Sequence, residues 1–396
     1  MNGAMSVLRL SVGDDGFVGN MKILFVIRGL QPGGAETQLV LLANGLASRG
    51  HDVSIAVCYP GGALESALDG VSLIGFDKKG RWDFSFLFRF IQYVRKVSPD
   101  VVHGYMGLGN ILTAVCRPFV GPLLTVWGIR ASNMDLDAYD FGSRVSFYAE
   151  KALSRFADCI IVNSYSGMEH AVSVGFPSDK LKVVPNGIDH GVYKGSSVRG
   201  EAFRKEIGVD VGTPVFGLIG RVDPMKGHDI FLQAASEFLA TGKDAQFVCV
   251  GKVDTSYGRA MVSLSEKLAG LKGRVHWLGL RRDMASVYSG IDVLVSASRF
   301  GEGFSNVVGE AMACGTPCLV TDVGDSARIV GETGLVVKPE VPAFLAEGMG
   351  VMLDRVDRDE TLGRRCRERI VEKFSPESLI AATERWVLKV SSEGRG

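Results

Sequence analysis

From Met21 onward, short runs that are apolar on both faces alternate with longer amphipathic stretches. KILFVI (22–27), DVSIAVC (52–58), DVVH (100–103), LLTVW (123–127) and CIIVN (159–163) have the pattern of strands buried on both sides of a parallel sheet. The segments between them are long enough for helices. Residues 36–48, for example, place Leu39, Val40, Leu42, Ala43, Leu46 and Ala47 at helical spacing and stop at Gly50. The plan then repeats with PVFGLIGRV (214–222), AQFVCVG (245–251), VHWLG (275–279), DVLVSAS (292–298) and PCLVTDV (317–323). Two such series predict an α/β chain of two doubly wound, Rossmann-like domains. VVPNGIDHGVYKGSSVRG (183–200), rich in Gly, Pro, Asn and Ser, suits a linker and puts the boundary near residue 190. A cleft between two such domains is a usual place for a ligand.

Composition narrows the classes. Of 396 residues, 46% are hydrophobic and 22% charged, and 44 basic residues cancel 44 acidic ones. Two globular domains fit that length, whereas a nucleic-acid binder would carry a basic excess. Seven cysteines (Cys58, Cys116, Cys159, Cys249, Cys314, Cys318 and Cys366) match no CxxC or zinc spacing and read as reduced, buried thiols of a cytoplasmic protein. No apolar run approaches the roughly 18 residues of a membrane span, and no signal-peptide layout opens the chain. Residues 1–20 are expected to be a flexible extension, with Met21 as an alternative start.

Candidate chemistry sits where strands end in glycine-rich loops. In RGLQPGGAE, Gly33 and Gly34 let backbone approach a ligand at a helix start able to receive an anion; a simple tight turn is the alternative. The loop is neither GxGxxG nor a P-loop, which disfavours a nicotinamide dehydrogenase. LIGRVDPMKGHD sets Arg221 just after a strand and Lys226 just before a helix. A planar fork beside a point charge suits two linked phosphates, the alternative being a solvated surface pair. In RFGEGFSNVVGEAMACGTP (299–317), Ser298 ends a strand, Asn306 opens a helix, and the amides around Gly303 to Val307 form a second anion-binding start. Glu310, a turn inside that helix, can accept two hydrogen bonds from a ribose-like diol. Glu302, in the loop, is free to meet another polar group. Both glutamates could instead serve only the helix dipole, although Glu310 among Val307, Val308, Ala311 and Met312 would want a partner.

Taken together, PGGAE (32–36), VVPNGID (183–189), GRVDPMKGHD (220–229), SRFGEGFSNVVGEAMACGTPCLVTDVGD (298–325) and GLVV (334–337) resemble the retaining glycosyltransferases of family four, which have the GT-B fold. The resemblance runs from Met21 to about residue 390. It implies an acceptor-binding domain over 21–190, a nucleotide-sugar domain over 191–374, and a C-terminal helix (375–396) crossing back to the first domain through Leu379, Ile380, Trp386 and Val387. It implies Arg221 and Lys226 on the donor diphosphate, with Gly220 beside them. Glu310 would meet the ribose and Glu302 the donor sugar, while Phe304, Ser305, Asn306 and Val307 add contacts. Gly33 and Gly34 would close the diphosphate site, with Glu36 on the acceptor side. No metal or other cofactor is implied; Arg and Lys would stabilise the leaving diphosphate.

Several positions depart from the family pattern. Many relatives carry a histidine where this chain has Tyr105, so His103 or Tyr105 is expected to take its place at the sugar, a structural role being the alternative for His103. Ser305 replaces a common proline, and Gly309 precedes Glu310. Arg130 could meet an acceptor phosphate or carboxylate, or form a structural salt bridge. Asp135 and Asp137 have D-x-D spacing but read as an ordinary acidic loop. Residues 77–96 mix six cations with two apolar faces, one of Phe84, Leu87, Phe88, Ile91 and Val94 facing the sheet and one of Phe86, Phe90 and Tyr93. The second face raises the expectation of peripheral contact with an anionic membrane, with burial inside the protein as the alternative.

The resemblance thus implies a retaining transferase that moves a sugar from a nucleotide diphosphate, UDP-hexose or UDP-N-acetylhexosamine by family expectation, to a glycan or polyprenyl or other lipid-linked acceptor in cell-surface polysaccharide assembly. A UDP-sugar epimerase of the same fold and a binding-only nucleotide-sugar protein are the alternatives. No nucleic-acid partner is expected.

Overall fold

In a computed structural model, residues 20–80, 83–130 and 141–393 are described. Thirteen strands form two sheets among them. The first contains β1 (Lys22–Ile27), β2 (Asp52–Val57), β3 (Ser72–Gly75), β4 (Val101–Tyr105), β5 (Leu124–Ile129), β6 (Cys159–Val162) and β7 (Leu181–Val183), in the order β3-β2-β1-β4-β5-β6-β7. The second contains β8 (Val215–Ile219), β9 (Gln246–Val250), β10 (Val275–Trp277), β11 (Val293–Ser296), β12 (Cys318–Thr321) and β13 (Leu335–Val337), in the order β10-β9-β8-β11-β12-β13. The registered pairs are parallel, so each sheet is doubly wound as the alternating pattern predicts. Strand order reverses between β1 and β4 in one sheet and between β8 and β11 in the other. Loops leaving the carboxyl ends of those four strands flank the crevices where such sheets hold ligands.

By internal contacts the described chain divides into a unit of residues 20–128, 152–159 and 390–393 and a larger one of 129–130, 141–151 and 160–389. In the second, Phe216, Phe231, Phe238 and Phe247 pack between sheet and helices. The C-terminal helix α14 (Pro376–Glu393) buries Leu379, Ile380 and Val387 and places the Trp386 ring 5.2 Å from Lys182 Nζ of β7. All seven cysteines are buried thiols without disulfides, as their apolar settings predict. No helix among the described residues is long and apolar enough to cross a membrane.

Three strands were not foreseen: β3, β7 and β13, each at a sheet edge, three or four residues long and only partly buried. An edge strand covers one neighbour, so its apolar signal is short and broken. The faces of helix α2 (Phe84–Val97) are also corrected. Phe86, Phe90 and Val94 are the buried residues, joined to Leu24, Val26 and Phe76 in the core, while Phe88 is 63% exposed. The Asp83 side chain accepts from Phe86 N at 3.1 Å and caps the helix. The face that raised the expectation of membrane contact is therefore the one covered by protein. Truncating Phe90 to Ala should cost about 3–5 kcal/mol in urea unfolding, while Phe88→Ala should stay within about 0.5 kcal/mol; the reverse ranking would restore the original assignment.

Candidate functional site

The second sheet's reversal point is built from two loops that lock together. After β8, Gly220 adopts φ +150 and the chain turns through Asp223, whose carboxylate accepts from Met225 N at 3.0 Å. Gly227, at φ +65, ends the turn, and a Cβ there would lie 2.1 Å from Ala297 O at the end of β11. No larger residue fits that approach. From the other side, Arg299 N donates to Met225 O at 2.8 Å, and the Arg299 guanidinium pairs with Asp229, which also accepts from Tyr257 Oη. Helix α7 (His228–Ala240) starts at this junction.

Between the loops lies a buried ion pair. Lys226 Nζ donates to Glu302 Oε1, and Ser298 Oγ donates to the same oxygen at 2.7 Å. Burial raises the Glu302 pKa, but the charge and hydrogen bond of Lys226, the Ser298 hydroxyl and the charge of Arg221 outweigh it, holding the carboxyl below its ordinary value. The polar groups that Glu302 meets are thus Lys226 and Ser298. The two cations are also unlike. The Arg221 side chain is 76% exposed and lies 3.4 Å from Asp223 Oδ2, so it is the exposed charge beside a buried one.

Glu302 leads into helix α10 (Asn306–Ala313), whose cap residue Ser305 makes no side-chain capping bond. The first-turn amides consequently have no side-chain acceptor, the condition for receiving an anion. The loop before the helix is pinned from behind. A Cβ at Gly303 would lie 2.9 Å from Asn163 Oδ1. Asp325 N donates to Gly303 O, and the buried Asp325 carboxylate accepts from Tyr165 N at 2.8 Å and Ser166 N at 3.0 Å, at the start of α5 (Tyr165–Ser173). Arg130 is half-buried and donates to Asn186 Oδ1 at 3.2 Å, and Asn186 donates to Asn306 Oδ1 at 2.8 Å. That chain links Arg130 to the first residue of α10; Phe304 packs on Phe374, and Val307 on the core. Glu310 has the partner its setting demanded: Tyr288 Oη donates to its Oε2 at 2.7 Å, and the Tyr193 phenol lowers the pKa of the same carboxylate. Burial nonetheless holds its pKa above the ordinary value.

The candidates of the first sheet lie in the other unit. Gly33 is the extended cap of helix α1 (Gly34–Ser48). A Cβ there would lie 2.3 Å from Glu36 Oε2, because Glu36 folds back on the helix start and bonds its own backbone amide. Gly34 is exposed. The anion found at this helix start is therefore the chain's own Glu36. His103 and Tyr105 are each 1% exposed on β4, their rings 5.2 Å apart and packed on Phe25 at 5.1 and 6.1 Å. Met106, which opens helix α3 (Met106–Val120), has φ +60, a strained value for a side chain at the reversal point. Asp135 and Asp137 lie outside the described residues. Among those described, no group of three or more His, Cys, Asp and Glu could hold a metal ion.

Sequence reasoning missed Asn186, Tyr193, Tyr288, Ser298 and Asp325. Asn186, Ser298 and Asp325 stand inside the quoted motifs without a role; the tyrosines come from a linker and an unremarked helix, with no spacing to betray them.

Comparison with known proteins identifies the family and the fold. Residues 213–355 match the family Glycosyl transferases group 1, and residues 32–192 match Glycosyltransferase Family 4. A D-inositol 3-phosphate glycosyltransferase of Nocardia farcinica is 32% identical over 67% of this chain and 61% of its own length, so the match falls short of two thirds of that relative. An alpha-maltose-1-phosphate synthase of Mycolicibacterium smegmatis is 32% identical over 63% of this chain and 68% of its own. Among solved structures, Anabaena Alr3699/HepE, crystallised with UDP, superposes with a TM-score of 0.80 at 22% identity, covering 93% of this chain and all of that one; at that identity the likeness is one of fold.

Two measurements check the electrostatics. Lys226→Met should cost about 3–5 kcal/mol by stranding a buried carboxylate, and adding Glu302→Gln should recover more than half of it in urea unfolding. His228, fully buried with neither ring nitrogen hydrogen-bonded, has its pKa lowered to about 4 by burial and by Lys226. The unfolded chain therefore binds more protons between pH 6.5 and 4, and stability should drop as pH is lowered through that window, by at most about 1.4 kcal/mol per unit. His228→Phe should flatten that slope.

Proposed function

The chain belongs to the Glycosyl transferases group 1 of glycosyltransferase family four, and on that premise we propose that it transfers a hexose-type sugar from a UDP-sugar to a hydroxyl of a glycan or lipid-linked acceptor, with retention of anomeric configuration. One observation carries the reading. Arg221, the Lys226–Glu302 pair, the uncapped start of α10 and Glu310 all converge at the carboxyl ends of β8 and β11, where strand order reverses. Such a place suits a nucleoside diphosphate. The α10 amides and Arg221 take the diphosphate, Glu310 the ribose diol, and Glu302, its charge directed by Lys226, the sugar hydroxyls.

In the reaction, the bond from the anomeric carbon to the diphosphate oxygen breaks and a bond to the acceptor oxygen forms on the same face. The departing diphosphate oxygen takes the acceptor's proton. Negative charge grows on the diphosphate as that bond lengthens, so fixed amides and cations aimed at it stabilise the transition state more than the bound donor. The UDP of the reading is supported by the solved neighbour, and the acceptor class by the family resemblance.

Incubation with UDP-glucose, UDP-galactose and UDP-N-acetylglucosamine tests the activity. Slow release of UDP supports transfer; interconversion of the sugars supports an epimerase, and binding without either supports a sensor. For the active donor, Arg221→Ala should lower kcat by about 10²-fold or more while weakening donor binding less than tenfold. Equal losses in the two would remove Arg221 from the leaving group.

A further inference from the structure

Glu310 is held by more than its helix. Tyr288, on helix α9 (Met284–Gly290), is fully buried and donates to Oε2, while Tyr193, from the segment before α6 (Ser197–Glu206), packs its ring against Tyr288 and its phenol acts electrostatically on the same carboxylate. The two rings meet edge to face with centroids 6.1 Å apart. Their frame is fixed. Thr316 Oγ1 donates to Tyr288 O at 2.6 Å, and Arg367 Nη1 donates both to Tyr193 O at 2.9 Å and to Ala313 O, at the end of α10. Arg367 thereby ties the backbone of Tyr193 to the helix that carries Glu310.

A carboxylate presents about four lone-pair directions. The Tyr288 phenol occupies one of them and the Tyr193 ring stands beside it, which leaves at least the two a vicinal diol requires. We propose that Tyr193 and Tyr288 are positioning residues that orient Glu310 toward the ribose 2′- and 3′-hydroxyls, making the site selective for ribonucleotide over deoxyribonucleotide donors. The proposal rests on the reading of Glu310 as the ribose acceptor. The phenols also favour the ionised carboxylate, which burial opposes. The other titratable neighbour, the Cys314 thiol, is pushed up to about 12, and both phenols are raised as well, so these neighbours stay neutral beside Glu310.

Calorimetric titration of the full chain with UDP and with 2′-deoxy-UDP, at about pH 8 and pH 6, tests the arrangement. The wild type is expected to prefer UDP by about tenfold, the worth of one hydrogen bond to a charged group. Glu310→Gln should erase most of that ratio. Tyr193→Phe, which keeps the half-buried ring, and Tyr288→Phe should each reduce it by about threefold or more, with a larger drop at pH 6. Because both ligands share every other contact, general loss of structure moves both affinities and leaves the ratio alone. If the wild type shows no preference, or Glu310→Gln keeps it, the ribose reading falls and the proposal with it. If Glu310→Gln erases the preference but both phenylalanine variants retain it at both pH values, the tyrosine proposal alone is overturned.

Discussion

The site depends on the buried pair of Lys226 and Glu302. Each group comes from a different loop, one leaving β8 and one leaving β11, and a buried charge without a partner is costly. Desolvation opposes both charges, and a buried pair gains little net stability over an apolar substitute. What it gains is register. With Arg299 N on Met225 O and Gly227 pressed against Ala297 O, the pair leaves the two loops a single way to fit. Every donor aimed at the crevice, from Arg221 to the first amides of α10, inherits its position from that junction.

The central strands were legible because each is covered on both faces and must be apolar throughout. The edge strands β3, β7 and β13 were not, since half of each meets solvent and its composition resembles a loop. Helix α2 misled for the opposite reason: so many of its positions are apolar that period alone chose the wrong stripe, and only the Asp83 cap and the packing on Phe76 fix its rotation.

The site was readable to the same degree. Residues that share a loop, such as Arg221 with Lys226 or Glu302 with Asn306, announce themselves by spacing. Their partners do not, because Tyr193 and Tyr288 lie 117 and 22 positions from Glu310 along the chain (310 − 193 and 310 − 288) and meet it only after folding. The assignment of charges suffered likewise. Lys226 and Arg221 look equivalent in sequence, yet one pairs with a buried carboxylate of the facing loop and the other, exposed, with Asp223 of its own turn. In the first sheet, Glu36 turns back beside Gly33 at its own helix start, a fold-back that its place in the sequence does not announce. His103 and Tyr105 lie within an aromatic cluster rather than at the surface.

The two glutamates eight residues apart show how environment divides one chemical group into two. Glu302 faces a cation and a hydroxyl and is held below its ordinary pKa; Glu310 faces only neutral phenols and is held above it. A carboxylate whose charge is already answered by lysine can meet sugar hydroxyls while tolerating change in a neighbouring diphosphate. A carboxylate supported by phenols keeps its charge less firmly, and its hold on a diol is correspondingly dependent on those phenols. The difference follows from what each helix or loop brings alongside: a strand-end lysine at one position, two aromatic hydroxyls at the other. Paired carboxylates pushed apart in this way commonly mark distinct duties within one site, which is what the proposed division between sugar hydroxyls and ribose requires.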